Sequence, residues 1–336
     1  MGIFKKRWFK ISAVVVVLIL AVGGYFAWKT GFIINKISGS KNSALGTLFS
    51  DGAAPQSEEG RVNILLLGMR GANMPGGGLL ADSIIVASFN TKDNKVAMMS
   101  VPRDLWVQIP GTSDRGKINS VYAHWEGGGK GQGIQKMEEV MGTVTGLKID
   151  HAIVINFSGF KQLIDTVGGI DVKLSKPFSE TQQFVEGQEC GGTFSLPAGT
   201  VHLNGDKALC YSRARVQTND FDRSKRQQIV LKALKDKLIS LGTLADFSKV
   251  NNILNIVGEN VKTDMAPEEM KGFYEQYANM KDADITQQVF ENSEKGLLEV
   301  PAAGTGLGYV LIPRAGQDNY SQVRDACKNI FSQPAQ

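Results

Sequence analysis

Histidine and cysteine are scarce in this chain, with three of each in 336 residues. The histidines, His124, His151 and His202, are scattered, and no pair has the HExxH spacing that aims two imidazoles at one zinc ion. Cys190, Cys210 and Cys327 have no His or Asp ligand spacing around them, which argues against structural zinc. A GxSxG elbow is missing, so nucleophilic hydrolysis on the α/β-hydrolase plan has no support. The glycine-rich stretch GGGKGQG lacks the spacing of a nucleotide-binding P-loop. Charge of one sign is lacking as well: the formal net charge is only +4 and no long basic run occurs, so composition makes no case for nucleic acid. No internal repeat is visible.

What is present begins with an apolar run. Ile11 to Trp28 contains one clearly polar residue, Ser12, and follows Lys5, Lys6, Arg7 and Lys10. Eighteen helical residues span about 27 Å, close to the hydrocarbon thickness of a bilayer. Trp8, Tyr25 and Trp28 would sit at its interfaces, and the leading basic residues keep the N-terminus cytoplasmic. A cleavable signal peptide is the competing reading, but no small-x-small cleavage site follows cleanly. Either way, everything after Lys29 is expected outside the cytoplasm, where disulfides persist. One pair is then possible, and all three pairings of the cysteines stay open.

Thr30 to Gly60 has no periodicity and is rich in Ser, Gly, Asn and Ala, so it reads as a stalk. Beyond it come apolar runs of strand length: Val62–Leu67, Ser83–Phe89 and Lys95–Val101, the last two expected to form a hairpin. Runs apolar on both faces belong in the middle of a covered sheet. Leu105–Ile109 is expected as a short edge strand. Helices are expected over Ile118–Trp125, Gly133–Thr145 and Ser158–Val167, with strands at His151–Phe157 and Ile170–Leu174. A tight turn is expected over Leu196–Leu203. Further helices follow at Arg223–Ser240, Leu244–Val257 and Pro267–Met280. Late strands at Ile285–Phe290 and Tyr309–Ile312 and a helix at Asn319–Phe331 complete the pattern. This alternation predicts a layered α-β-α fold of the α/β class, with a central β-sheet, behind one N-terminal transmembrane helix.

The most unusual stretch is Ala208–Gln228. From Tyr211 it holds four arginines, one lysine and two aspartates, a net +3 at what reads as a joint between two helices. A guanidinium is a rigid donor fork suited to phosphate or carboxylate. The competing reading is a solvated helix face laced with i,i+3 and i,i+4 ion pairs. Three other groups lie at ends of buried strands, where such sheets offer sites. They are Asp82 in ADSII, Arg103 and Asp104 after Pro102, and Lys117 with Asn119 in KINSVY. A plain reading exists for each: a turn residue, a surface ion pair, a helix cap. Taken together, two carboxylates able to hold a hard divalent ion and several guanidinium forks suit phosphoryl transfer, which needs positioning and charge neutralisation more than covalent chemistry.

The ordered series NILLLG, ADSIIVASF, VAMMSVPRDLWVQIPG, KINSVY, VINFSGFKQLIDTVGGIDV, LPAGTVHLNGDKALCYSRAR and DFDRSKRQQ, behind one N-terminal helix, resembles the LytR-CpsA-Psr family over Arg61 to Leu241. The resemblance implies a central mixed sheet that binds a polyprenyl pyrophosphate with its tail in an apolar tunnel. It also implies transfer of a glycopolymer, such as teichoic acid or capsule, from that carrier to peptidoglycan or another envelope acceptor. In this frame residues 1–10 are cytoplasmic, 11–28 cross the membrane, 29–60 link, 61–242 are catalytic, and 243–336 form an extension packed on the same domain.

Position by position, the resemblance gives Asp82 a magnesium-ligand role and Arg103 a pyrophosphate-binding one. Arg213 and Arg215 match the YxRxR motif, and Arg223, Arg226 and Gln227 match RxxRQ. Asp220 becomes the acid that would take the acceptor's proton, with Arg103 and Arg223 beside it in catalysis, and Lys117 and Asn119 add contacts to pyrophosphate. Two departures stand out. Where the family writes an aspartate two residues after the first strand's glycine, this chain has Gly68, Met69 and Arg70, so either another carboxylate such as Asp104 helps hold the ion, or metal binding is weaker, or Arg70 supplies charge directly. Asp222 stands where a glycine is usual. Two other functions fit the same residues: a polyprenyl-pyrophosphate pyrophosphatase, with water replacing the sugar, and a non-catalytic lipid-binding module.

Overall fold

The computed structural model describes residues 60–332 except 73–77, 91, 185–189, 241–252, 254–257, 267–268, 270–272, 274–284 and 303–307. The expected anchor and stalk, and nearly all of the expected helices Leu244–Val257 and Pro267–Met280, lie outside the described residues. Among the described residues no helix is long and apolar enough to cross a membrane.

The chain opens with β1 (Arg61–Met69), β2 (Ala81–Asn90) and β3 (Lys95–Ser100), then the short β4 (Trp106–Gln108) and β5 (Arg115–Lys117). Next come α1 (Asn119–Glu126), α2 (Gly133–Thr145), β6 (His151–Asn156) and α3 (Phe157–Thr166). Four strands follow, β7 (Ile170–Leu174), β8 (Phe178–Glu180), β9 (Phe194–Leu196) and β10 (Gly199–Leu203), before α4 (Gly205–Arg213) and α5 (Asp220–Ser240). The last elements are β11 (Val261–Thr263), β12 (Ile285–Val289), β13 (Leu298–Glu299), β14 (Ile312–Pro313) and α6 (Ser321–Lys328). They divide into two compact units, Ser57–Phe157 with Ile285–Gln336, and Ser158–Asp284.

The first unit is built on a sheet whose strands run β6-β1-β2-β3-β12. β2 is antiparallel to both β1 and β3, whereas β6 lies parallel to β1 and β12 parallel to β3, so the sheet is mixed. The physical basis is the continuous apolar sequence: every residue from Val62 to Leu67 except the hydrogen-bonded Asn63 is apolar and all six are buried. Opposite them Ile84, Ile85, Val86 and Phe89 are equally buried, and each such side chain contributes about 1.5–3 kcal/mol on removal from water. α1 and α2 pack on each other and against β2 and β6 respectively. α2 stops at Gly146, whose left-handed φ of 68° is accessible to glycine at little cost. α6 packs on α2, with the Arg324 guanidinium donating to the Thr143 carbonyl at 2.6 and 2.9 Å.

Arg61 ties the start of this unit to its end. Its guanidinium donates to Ser88 Oγ and Asn63 Oδ1 at 2.5 and 3.1 Å and to the Cys327 carbonyl at 2.9 Å, and it stacks over the Phe331 ring. Burial lowers that guanidinium to about 10, with the neighbouring Cys327 opposing the shift.

The second unit contains α3, α4, α5 and two antiparallel strand pairs, β7 with β10 and β8 with β9. Here the expected tight turn over Leu196–Leu203 is corrected: only Pro197 and Ala198 turn, while Leu196 ends β9 and Gly199–Leu203 is a full strand paired with β7. β10 is largely exposed, so it carries little of the apolar signal that marks a buried strand. α4 starts where Asn204 Oδ1 accepts the Lys207 amide, a side-chain cap on the first turn. Gly205 must be small there, because a Cβ would meet the Lys161 carbonyl.

Candidate functional site

In the sheet unit the candidate residues collect at the carboxyl end of β1. The β1–β2 register passes from Gly68 opposite Ser83 to Met69 opposite Ala81, leaving Asp82 as the extra residue of a bulge. A bulge re-aims the side chain it carries. Asp82 Oδ1 meets Arg103 Nη1 at 2.7 Å. Arg103 lies in the turn after β3, where the Leu105 amide donates to the Pro102 carbonyl. Its Nε stands 3.6 Å from Asp104 Oδ2, and Asp104 Oδ1 accepts from Lys117 Nζ at 2.5 Å. Acid and base thus alternate along one chain, Asp82, Arg103, Asp104, Lys117. Asp104 is the buried member, at 7% exposure, whereas Lys117 and Asp82 have side chains 38% and 36% exposed.

Asn119 joins this group through its backbone, its amide donating to the Arg103 carbonyl at 3.3 Å. Its side chain makes no cap bond on α1; the capping residue of that helix is Ile118. The proposed plain role of Asn119 as a cap is therefore corrected. Arg70 follows β1 directly.

In the second unit the charged stretch is indeed a joint, residues 214–219 between α4 and α5. Asn219 caps α5: its Oδ1 accepts the Asp222 amide at 2.8 Å. Asp222 then sits in the first turn of α5, where the helix dipole favours negative charge, and it pairs with Lys225 at 3.8 Å. Asp220 is the bridging acid, its Oδ1 3.2 Å from Arg215 Nη1 and 3.3 Å from Arg223 Nη1. Arg215 is the outward fork, 42% exposed at its side chain, while Arg223 is buried. The Arg213 guanidinium lies over the Phe184 ring at 5.8 Å.

Arg226 and Gln227 turn back onto α4. Arg226, only 6% exposed, donates through Nε to the Tyr211 carbonyl at 3.1 Å and through Nη2 to the Ala214 carbonyl and Thr218 Oγ1. Its guanidinium also stacks over the Phe178 and Tyr211 rings. Burial lowers its pKa from the ordinary arginine value, against the pull of Tyr211, Asp222 and Glu180. Arg226, expected to meet substrate, directs its Nε and Nη2 donors at the joint's own backbone and Thr218. Gln227 Nε2 donates to the Ser212 carbonyl at 3.3 Å.

Two residues that sequence reasoning passed over complete this group. The Glu180 carboxylate, 1% exposed at the end of β8, accepts the amides of Gln182 and Gln183 on one oxygen and of Gln217 on the other. Burial would raise its pKa, but the amides of Gln217, Gln182, Gln183 and Val216 outweigh burial and hold it below the ordinary carboxylate value. Gln183 bridges the joint, its Nε2 donating to the Arg213 carbonyl and its Oε1 accepting the Arg215 amide. The SETQQ sequence gives no periodic signal for this. A disulfide joins Cys190 to Cys210 on α4, resolving the open pairing, and Cys327 remains a buried thiol pushed up to about 12 by its burial.

Of the two aspartates expected to hold magnesium, both face cations. Among the described residues no group of three or more His, Cys, Asp or Glu side chains converges as a metal cage would. Magnesium, however, keeps several waters and commonly takes one or two carboxylates plus substrate phosphates. The exposed, bulge-borne Asp82 fits that single-carboxylate mode; the buried Asp104, committed to Lys117 and Arg103, does not.

The profile of the LytR_cpsA_psr family matches residues 33–303. A polyisoprenyl-teichoic acid–peptidoglycan teichoic acid transferase, TagU of Bacillus cereus, is 28% identical over 327 residues, covering 94% of this chain and 95% of that protein. The TagV transferase of Bacillus subtilis is 31% identical over 272 residues, 77% of this chain and 64% of that one. The crystal structure of B. subtilis TagV shares the fold with a TM-score of 0.59 at 28% identity, over 83% of this chain and 100% of that one.

Proposed function

The chain belongs to the LytR-CpsA-Psr family, and we propose that it transfers teichoic acid or a related glycopolymer from a polyprenyl-pyrophosphate carrier to peptidoglycan or another envelope acceptor. The observation that carries this reading is the nearly end-to-end match to a protein named as such a transferase. The charged groups support it, because a transferring phosphoryl group calls for guanidinium forks and few covalent partners.

In this reading the acceptor hydroxyl attacks the phosphorus next to the sugar, its proton passes to Asp220, and the bond to the lipid phosphate breaks. Arg215 and Arg213 neutralise phosphate charge in the second unit, with Arg223 behind them holding Asp220. Arg103 and Lys117 take phosphate oxygens in the sheet unit, where Asp104 orients both cations. Asn119 fixes the Arg103 backbone, and Gln227 holds the end of α4. Asp82 would hold magnesium, which supplies charge neutralisation at the leaving phosphate when bound. Exchanging the Arg103 partner for substrate phosphate would free Asp82 for that ion. The apolar run Ile11–Trp28 serves as a single membrane anchor with residues 1–10 in the cytoplasm and the chain after it outside, which the Cys190–Cys210 disulfide supports, since disulfides persist in oxidising compartments.

The test is release of polyprenyl phosphate from a lipid-linked glycopolymer, with and without peptidoglycan. Transfer predicts acceptor-dependent release, and an Arg213→Ala/Arg215→Ala chain should lose roughly 100-fold or more, the scale seen when preorganised charge is removed. Release at equal rates without acceptor would instead mark a pyrophosphatase.

A further inference from the structure

We infer that Glu180 and Gln183 are positioning residues for the phosphate-binding arginines: a buried carboxylate and carboxamide that splint the Arg213–Gln217 backbone from a distant part of the chain. The inference rests on the proposed role of Arg215 in gripping pyrophosphate and extends it to residues that touch no substrate.

The joint has a hydrogen-bonding problem that its own helices solve only in part. α4 ends at Arg213 and α5 begins at Asp220; the Ala214 amide still donates to the Cys210 carbonyl and the Thr218 amide to the Arg215 carbonyl, but the Arg213 carbonyl and the amides of Arg215 and Gln217 find no partner in either helix. Partners come instead from residues 30 to 37 positions earlier. Gln183 takes both sides of Ala214, donating to the Arg213 carbonyl at 2.9 Å and accepting from the Arg215 amide at 2.6 Å. Two residues on, the Gln217 amide donates to Glu180 Oε2 at 3.1 Å, and the Gln217 side chain returns the contact by accepting the Thr181 amide at 2.9 Å. Arg215 is therefore held at its own amide and again two residues later, while its side chain projects.

A splint works only if its far end is rigid. Glu180 closes β8, paired across to Phe194 of β9. The Phe178 ring of that strand packs edge-on against Tyr211 and Phe194 and lies beneath the Arg226 guanidinium. Arg226 in turn grips the Tyr211 and Ala214 carbonyls from the α5 side. The joint is thus clamped between two elements, which fixes the fork of Arg215 relative to Asp220 and Arg223. Preorganisation of this kind saves ordering cost when an anion binds.

A charge buried to 1% exposure is expensive unless its acceptors are filled, and a neutral residue could end a three-residue strand equally well. What only a carboxylate supplies here is acceptor capacity on both oxygens. Glu180→Gln turns one oxygen into a donor that faces backbone N–H groups, breaking one side of the splint while keeping size.

The probe is inorganic pyrophosphate, titrated calorimetrically into the full-length chain in detergent at fixed salt. Glu180→Gln is compared in the wild-type and Arg215→Ala backgrounds. If Glu180 acts through Arg215, the substitution weakens pyrophosphate about tenfold in the first background and less than about twofold in the second, the non-additivity of coupled residues. Equal weakening in both backgrounds, or none in either, overturns the inference. Should Glu180→Gln not fold by circular dichroism, Gln183→Ala enters the same cycle with the same two outcomes. A wild-type chain that binds no pyrophosphate, or an Arg215→Ala chain that binds it unchanged, removes the phosphate grip itself and the splint with it. An intact grip without coupling removes the splint alone.

Discussion

Arg226 illustrates how one guanidinium can serve a site from behind. Its Nε and Nη2 satisfy the carbonyls of Tyr211 and Ala214, and its flat face covers Phe178. A lysine ammonium keeps the charge but not the planar fork. Arg226→Lys should therefore cost about 2–4 kcal/mol of unfolding free energy in urea, since each buried acceptor left unmet costs roughly 1–3 kcal/mol. A lysine chain as stable as wild type would show that charge alone, not fork geometry, holds the joint. The RxxRQ spacing correctly puts Arg223, Arg226 and Gln227 together on α5, because helical neighbours follow from sequence separation. Which of them looks outward does not follow, because that depends on where the end of α4 lies. Glu180 was illegible for a related reason: its partner in the joint, the Gln217 amide, lies 37 residues away and is joined to it only by the fold.

Elements were legible in proportion to their burial. β1, β2, β3 and β6 announce themselves as predominantly apolar runs, and α2 emerged from its spacing with the bounds Gly133–Thr145. Two- and three-residue strands such as β5, β8, β9 and β13 carry too few apolar residues to read. The Asp82 bulge was also invisible, being a property of two strands in register. The disulfide was legible only as one of three pairings. It joins residues 20 apart, and loop-closure entropy for that span predicts a stabilisation of about 3 kcal/mol. Cys190→Ser and Cys210→Ser should each lose that amount in urea unfolding, and dithiothreitol should bring wild type to the same midpoint. Cys327 should stay unlabelled by iodoacetamide until the chain unfolds, since burial keeps its thiol protonated.

At the scale of the molecule, the mixed sheet and the family series were both readable, because ordered short motifs along the chain carry more information than any one of them. The proposed anchor has a direct check. Deleting residues 1–28 should move the protein from the membrane pellet to the supernatant while pyrophosphate affinity stays unchanged; retention in the pellet would send the search for a membrane contact elsewhere in the chain.

The sheet unit is assembled from two stretches separated in sequence by the whole second unit. β12 supplies a parallel neighbour to β3, and the Arg61 guanidinium reaches the Cys327 carbonyl. A parallel partner cannot be provided by a local turn. A polypeptide made from its N-terminus would therefore present β1 to β3 first, with the edge of β3 open until β12 emerges. During that interval the edge is available for pairing with other chains, as unpaired strands are. Folding of this protein is thus exposed to a delay set by synthesis of the stretch between Ser100, which ends β3, and Ile285, which opens β12.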